Sequence, residues 1–544
     1  MSVAAPHLPL ADRPVWPKAY SPSLPRTTRL FLVATVTLVT GMEFLTSYAV
    51  GVALPDMQGD LAASFDEGSW ILTTYTIAFL IGLVHSSELA GRVGYRRHMI
   101  ISVLLFMLSA IGVSQSHTLA EALWFRALMG YAGGSFLTRA QTAINLAFEG
   151  PARFKVLAAF AVFVVGVCRT LGPAVGGYLT EWYSWRLVFL LNVPLAAVAL
   201  VMLVAFMPDV RAKGPPAKFD IVGSILLIAW VASLQIILSR GERDDWFADP
   251  FIKVLALIAA IGLPLFVWRE RWPRNTHPII RLAVYRNRNF VVGSIYVVIL
   301  GMMLYGQAYF VPQILRGVLR HSSWSVGCLQ TFNGACFFIG LLIGALTMTR
   351  TGFRLSLGIG ACIFAMGMWF WATRLTSAIP DEQMLLPLAL SGFGAGWQIG
   401  PLSTLINSQT PNALMGDGME LYLCQRMLGG SWGIAVLAIL LDWQRSFWSS
   451  RLGEHLHDSS PSLHDALLQG AGALRAVGLP EESAQDASAV LLHGRLVLQS
   501  TMNAFVDTYW YQFGLGIFAI VLLLFFSRPP AVRRLWDWAL QALR

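Results

Sequence analysis

The chain has 544 residues, 56% of them hydrophobic and only 13% charged, with a mean hydropathy of +0.60. That balance excludes a soluble globular protein and implies a polytopic membrane protein. The formal net charge of +9 would by itself suit a nucleic-acid partner, but its distribution between loops favours a role in setting membrane orientation.

The first 29 residues are polar and Pro-rich without the apolar core of a signal peptide, so the first span is expected to serve as the insertion signal. Fourteen apolar stretches follow, each long enough for a ~30 Å hydrocarbon core. They cover 30–52, 69–90, 98–115, 120–147, 155–178, 185–207, 219–239, 250–268, 290–314, 324–349, 354–374, 384–407, 419–441 and 508–527. The stretch 69–90 is the weakest, because it carries His85 and Glu88 near its end. With the N-terminus inside, roughly 24 Lys and Arg fall on the cytoplasmic side, about 11 outside and about four within spans. The dense basic segment 268–289 and the C-terminal "RPPAVRR" (528–534) both fall inside. The expectation is a multi-pass membrane protein with both termini cytoplasmic and no nucleic-acid partner. The cysteines (Cys168, Cys328, Cys336, Cys362, Cys424) all lie in apolar spans and read as packing residues.

Two loops share a signature. "GRVGYRR" (91–97) follows the second span and "TRTGFRL" (349–355) the tenth, matching Arg92, Gly94 and Arg96 with Arg350, Gly352 and Arg354. Such a repeat implies two related six-helix halves, a transporter design. The expected organisation is a cytoplasmic tail 1–29, a first bundle 30–207, a linker 208–289 with two accessory helices, a second bundle 290–527 and a tail 528–544. The second bundle contains an unusually long outer loop, 442–507, whose ends look helical and whose centre is rich in Gly, Ser and Pro. Its His455, His457 and His464 read as solvated histidines, and no metal site is expected.

Ionisable groups inside a span are costly and mark function by default. Glu43 lies mid-span in "TGMEFLTSYAVGVALP", where Thr40, Thr46 and Ser47 share its helical face. A carboxylate in that setting can exchange protons. Arg126, in "LWFRALMGYAGG", is the expected partner of Glu43, with Gly130 and Gly133 on its own face. Arg139 lies two turns from the cytoplasmic end and is expected to snorkel. Arg426 sits with Gly429 and Gly430 near its face and Glu420 nearby in sequence. Arg169 stands ~21 Å along the helix from Lys155 and ~13 Å from Tyr178, too far to snorkel easily. It shares a face with Gly166, Gly172 and Gly176, so it is expected to point toward protein, facing a cavity or a buried acid.

Several motifs in order now carry a family resemblance. "VALPDMQGDL" (52–61), "ELAGRVGYRRHM" (88–99), "RALMGYAGG" (126–134), "GVCRTLGPAVGG" (166–177), "SWRLVFLLNVPLA" (184–196) and "QRMLGGSWGIAV" (425–436) resemble those of the major facilitator superfamily. Within it, they are similar to the fourteen-helix drug:proton antiporters of the EmrB/QacA type. The resemblance implies an all-α fold of two pseudo-symmetric six-helix bundles around a central cavity, plus two accessory helices. It also implies proton-driven efflux of small amphipathic molecules by alternating access, needing no cofactor beyond the proton-motive force and no enzyme chemistry. By the same resemblance, a periplasmic adaptor and an outer-membrane channel are the expected partners, with 442–507 as the docking element. A metabolite or siderophore exporter, or an importer, is the alternative on the same fold.

The implied roles fall on matching positions. Glu43 and Arg126 would couple protons; Glu88, Arg92, Gly94, Arg96 and Arg97 would form the cytoplasmic gate; Arg169, Gly172, Pro173, Gly176 and Gly177 form the antiporter motif. Thr46, Tyr75, Arg169, Tyr305, Gln307, Asn333, Gln398 and Arg426 are the candidate cavity residues. Two departures stand out: Thr46 and Gly91 occupy positions where relatives usually carry Asp, and an acid (Glu43, Glu88) stands one turn earlier in each case. Additional cavity arginines would suit an amphipathic anion better than a lipophilic cation.

Overall fold

The computed structural model of the protein describes residues 25–148, 150–208, 220–241, 245–272, 275, 279–409, 415–454 and 461–526. The tails, residues 209–219 of the linker, part of the 268–289 basic segment, His455 and His457 lie outside them. Hydrocarbon offers no hydrogen bonds to the backbone, so apolar runs of this length close their hydrogen bonds internally as helices. No strand occurs among the described residues.

The first half comprises α1 (Arg26–Asp60), α2 (Phe65–Val93), α3 (Tyr95–Gln115), α4 (Leu119–Gly133), α5 (Phe136–Ala147), α6 (Gly150–Ala161), α7 (Arg169–Trp182), α8 (Trp185–Leu190) and α9 (Asn192–Phe206). Three of its expected spans are interrupted. The stretch 120–147 breaks at Gly134 and Ser135, between α4 and α5. A π-helical turn, Val162–Cys168, joins α6 to α7, and Leu191 separates α8 from α9. The inserted pair is α10 (Ile221–Arg240) and α11 (Pro250–Arg271). The second half contains α12 (Arg288–Gln313), α13 (Ser323–Arg374), α14 (Asp381–Gln409), α15 (Met415–Gly453), α16 (Pro461–Ala476) and α17 (Glu481–Leu522).

Twelve helical segments among the described residues are long and apolar enough to cross a membrane, so the expected count of fourteen is not reached by that measure. The two shortfalls have separate causes. The stretch 120–147 is split into pieces of 15 and 12 residues, each shorter than the hydrocarbon core requires. In α14 the length suffices, but its Gly, Ser, Gln and Pro residues dilute the apolar character. The region 442–507 also departs from expectation. Its ends are helical as expected, but they belong to α15 and α17, and its Gly/Ser/Pro-rich centre carries the further helix α16, packed against α17.

The repeat has a structural counterpart. Gly94, between α2 and α3, has φ 97°, and Gly352, which kinks α13 into two spans, has φ 76°. Both lie in a backbone region that only glycine enters at low cost. Arg96 donates to the Val204 carbonyl near the end of α9. Its repeat mate Arg354 donates to the Leu523 carbonyl just beyond α17, at 3.2 and 2.7 Å. In each half the signature arginine therefore ties the second loop to carbonyls left open at the end of the sixth span.

These signature loops mark one end of the molecule. At the far end the two halves are joined by polar contacts. Asp56 of α1 pairs with Arg316 and accepts from Ser323 Oγ at 2.9 Å. Glu181 of α7 accepts from the Ser323 N–H at 2.8 Å, and Gln313 reaches Gln58 at 3.5 Å. Beneath them α7 lies against α13 so closely that a Cβ on Gly177 would stand 2.5 Å from the Ser323 carbonyl, and one on Gly327 2.6 Å from that of Pro173. The accessory pair is held by a salt bridge from Arg269 to Asp220 at 3.0 Å, and α10 packs on α2 and α15.

Candidate functional site

A cavity lies between the halves, lined by α1, α2, α4 and α7 on one side and by α12, α13, α14 and α15 on the other. Most of its wall is apolar, including Phe44, Leu72, Phe79, Leu304, Met427 and Ile434. Polar side chains are set among these, so the site can bind by apolar contact and orient by selected charges.

Glu43 is one of them. It is 5% exposed, and its Oε1 accepts hydrogen bonds from the Tyr75 hydroxyl at 2.7 Å and from Ser47 Oγ at 2.9 Å. The expected pairing with Arg126 is indirect. No ion pair joins them; the Arg126 guanidinium lies over the Tyr75 ring, 4.1 Å from its centroid, and donates through Nε to the Ile71 carbonyl at 3.1 Å. Tyr75 thus stands between acid and base, giving its hydroxyl to one and its π face to the other. Close helix approach makes this possible. A Cβ on Gly133 would meet the Tyr75 hydroxyl at 3.1 Å and Glu43 Cγ at 3.2 Å, while one on Gly130 would overlap the Tyr75 carbonyl.

Arg169 is the second charged feature. The π turn before it accommodates an extra residue, a distortion that often reorients a side chain at a functional position. Thr170 Oγ1 donates to the Gly166 carbonyl inside that turn at 2.7 Å. The Arg169 guanidinium sits 3.4 Å from the Phe337 ring centroid and 5.0 Å from that of Tyr48, and it lines the cavity. The buried acid allowed for in the sequence is not its neighbour. Of the motif glycines, Gly172 and Gly176 pack against α1 of the same half, whereas Gly166 meets Phe338 and Gly177 meets Ser323 and Gly327, all on α13 of the other half. Pro173 reaches the cavity wall.

The remaining expectations divide. Tyr75, Tyr305, Gln307 and Asn333 line the cavity. Asn333 is nonetheless committed to α14, donating to the Leu388 carbonyl at 2.8 Å and to Ser391 Oγ at 3.2 Å. Thr46 and Gln398 are not in the wall: Thr46 bonds Asn192 Oδ1 of α9 at 2.7 Å, and Gln398 accepts from Tyr296 at 2.7 Å, so each is a bond between helices. Arg426 also lies outside the wall, near the Tyr422 ring, 5.5 Å from its centroid, with Nε buried and without a hydrogen bond. Arg139 does not snorkel. It is 4% exposed, contacts Ser86 Oγ at 3.4 Å, and lies 5.8 Å from the Tyr95 centroid.

At the signature loop, Glu88 is half-buried with Oε2 sealed and without a hydrogen bond, Arg92 and Arg97 are exposed, and Arg96 is engaged within its own half. Tyr48 and Gln330, also in the cavity wall, escaped the sequence reading. Gln330 carried a usable signal, an amide inside an apolar span. Tyr48 stands five residues beyond Glu43, about 140° around α1, so the helical face shared by Glu43 and Ser47 does not mark it.

Residues 36–434 match the Major Facilitator Superfamily, and the chain belongs to it. It is therefore a multi-pass membrane transporter and not an enzyme. Its relatives are of the EmrB/QacA type. The chain is 24% identical to the multidrug export protein EmrB of Escherichia coli (strain K12), over 92% of this chain and 96% of the relative. It is 27% identical to the probable multidrug resistance protein EmrY of the same organism, over 78% of this chain and 83% of the relative. Identity is 26% with the fatty acid resistance protein FarB of Neisseria gonorrhoeae, covering 80% and 85%. Solved structures share the fold at lower identity. The POT family transporter PepTSo has a TM-score of 0.60 at 14% identity, covering 94% of this chain and 99% of that one. A bacterial homologue of the human lysosomal transporter Spinster, inward-facing and unoccupied, scores 0.58 at 14% identity, covering 93% and 100%.

Proposed function

We propose that the protein is a proton-coupled exporter of small amphipathic molecules in the bacterial inner membrane, with both termini cytoplasmic and the signature loops on that side. The observation that carries this reading is a buried carboxylate, Glu43, in the wall of a mostly apolar cavity in a chain whose relatives are named for export and resistance. Glu43 takes up and releases the coupling proton. Tyr75 and Ser47 hold its ionised form, and Arg126 acts on it through Tyr75. Protonation frees both hydroxyls to rearrange, which biases one cavity orientation over the other by the difference in these bonds between states.

In this reading Glu88, Arg92, Gly94, Arg96 and Arg97 belong to the cytoplasmic gate, and residues 30–207 and 290–527 move as the two halves around the cavity. The far-end contacts of Asp56 and Glu181 close the periplasmic side. The α15–α17 helical extension stands on that side, where a periplasmic adaptor leading to an outer-membrane channel would dock. Substrate-driven proton release from proteoliposomes tests the coupling: Glu43→Gln abolishes the proton signal while the protein still inserts and folds. An unaltered signal in that variant removes Glu43 from the mechanism, and substrate movement into the cytoplasmic compartment overturns export.

A further inference from the structure

The geometry points to Arg169 as an anchor for the anionic group of the substrate, and so to a cargo that is a monoanion with an apolar body. The inference rests on the export reading only for the direction of transport; the binding it describes stands independently.

Three features of Arg169 carry it. First, its charge is uncompensated. Among the described residues it makes no hydrogen bond and no ion pair, although it is 8% exposed. A buried guanidinium with its donors unused is costly, and the cost is removed when a carboxylate or sulfonate accepts from the planar fork. Second, its donors face the right place. The group lines the cavity, and its nitrogens are not among the sealed, unbonded atoms, in contrast to Nε of Arg139 and of Arg426. Third, it is pre-positioned. Phe337 lies against the guanidinium at 3.4 Å with Tyr48 at 5.0 Å, which leaves the edge of the fork to the ligand. Arginine stacks on ring faces while keeping its donors free, as lysine cannot.

The other charged groups of the wall have partners within the protein. Glu43 accepts two hydrogen bonds, and Arg126 is held by Ile71 and the Tyr75 ring. The apolar wall, with Phe44, Leu304 and Ile434 among its residues, takes the body of the molecule. A lipophilic cation would meet the same apolar wall but would be repelled by Arg169.

The test is calorimetric binding to the purified full chain in nanodiscs, with decanoate, decyltrimethylammonium and decanol as probes of equal tail length. Binding alone is read, so loss of proton coupling or of export does not affect it. Decanoate is expected to bind at least tenfold more tightly than decanol, and decyltrimethylammonium more weakly than decanol. In Arg169→Gln the preference for decanoate over decanol disappears while decanol binding persists; Arg169→Lys restores it only in part. Thermal melts identify a variant that fails to fold, and the comparison of probes on the unaltered protein then decides alone. Equal affinity for the three probes, or an undiminished decanoate preference in folded Arg169→Gln, overturns the inference. Failure of export itself is read separately, as absent uphill uptake in everted vesicles.

Discussion

Replacing Asp56 by Asn tests whether the far-end contacts set the balance between cavity orientations. Asp56 joins the halves twice, through Arg316 and through Ser323 Oγ at 2.9 Å. The ion-pair side chains are 28% and 27% exposed, so solvent screens the pair and its share is discounted to ~0.5 kcal/mol. The hydroxyl-to-carboxylate bond is worth ~1.5 kcal/mol when the acceptor is charged, and asparagine keeps part of it. The net loss is about 1–2 kcal/mol, equivalent to a ~5–30-fold shift in a two-state equilibrium. All of it falls on the state closed at the far end, because separation of the halves breaks these contacts in either chain.

The assay is double electron–electron resonance between spin labels at Tyr183 of the first half and Ser377 of the second, both exposed. Cys328, Cys336 and Cys362 are replaced by Ser to avoid stray labelling. Asp56→Asn should enrich the longer distance, and the Asp56→Asn/Arg316→Gln double variant should enrich it by less than the sum of the single effects, since the two residues form one bond. An unchanged distance distribution in Asp56→Asn, or strictly additive shifts, refutes a latch at this position.

Two further predictions follow from backbone geometry. Gly94→Ala and Gly352→Ala each force a side chain into the positive-φ region, at ~1–3 kcal/mol. Both should lower the melting temperature by similar amounts, as a shared loop geometry requires, and an effect at only one of them argues against the structural repeat. At the helix contact beside Glu43, Gly133→Ala places a methyl group 3.1 Å from the Tyr75 hydroxyl and 3.2 Å from Glu43 Cγ, so it should reduce coupled transport in proteoliposomes with little loss of stability. Gly130→Ala strikes the Tyr75 carbonyl instead and should lower the melting temperature more; the opposite order contradicts this packing.

What the sequence made legible differs between fold and site for a physical reason. Span positions follow from apolar length alone, so the helices lie close to where hydropathy puts them. The breaks do not, because Gly134–Ser135, Leu191 and the Val162–Cys168 turn are local responses to packing that no composition window registers. Glu43, Arg126 and Arg169 stood out because a charge in an oily run is rare, and all three reach the cavity wall. Thr46 and Gln398 lie outside the wall because polarity within a span has two outlets, a cavity or a neighbouring helix. Helical spacing alone cannot tell Thr46, bonded to Asn192, from Ser47, bonded to Glu43. The intervening role of Tyr75 was equally hidden: sequence pairs opposite charges, whereas the fold inserted a ring that serves both.

The two cavity arginines also constrain how transport can be coupled. With Glu43 ionised, the charged wall residues Glu43, Arg126 and Arg169 leave one positive charge in excess, and protonation of Glu43 raises the excess to two. An anion is therefore attracted more strongly after the proton arrives, so simple electrostatic displacement of one by the other cannot exchange them. A cation would be displaced by the same event. For an anionic cargo, exchange must instead come from the proton and the substrate preferring oppositely facing states, and this requires an element with two discrete arrangements. The far-end cluster of Asp56, Glu181, Arg316 and Ser323 has the right character. Its bonds from Asp56 and Glu181 to Arg316 and Ser323 all cross from one half to the other, so separation of the halves breaks them together. The sign of the cargo and the location of the coupling element are thus a single question, with Arg169 deciding the first part and Asp56 the second.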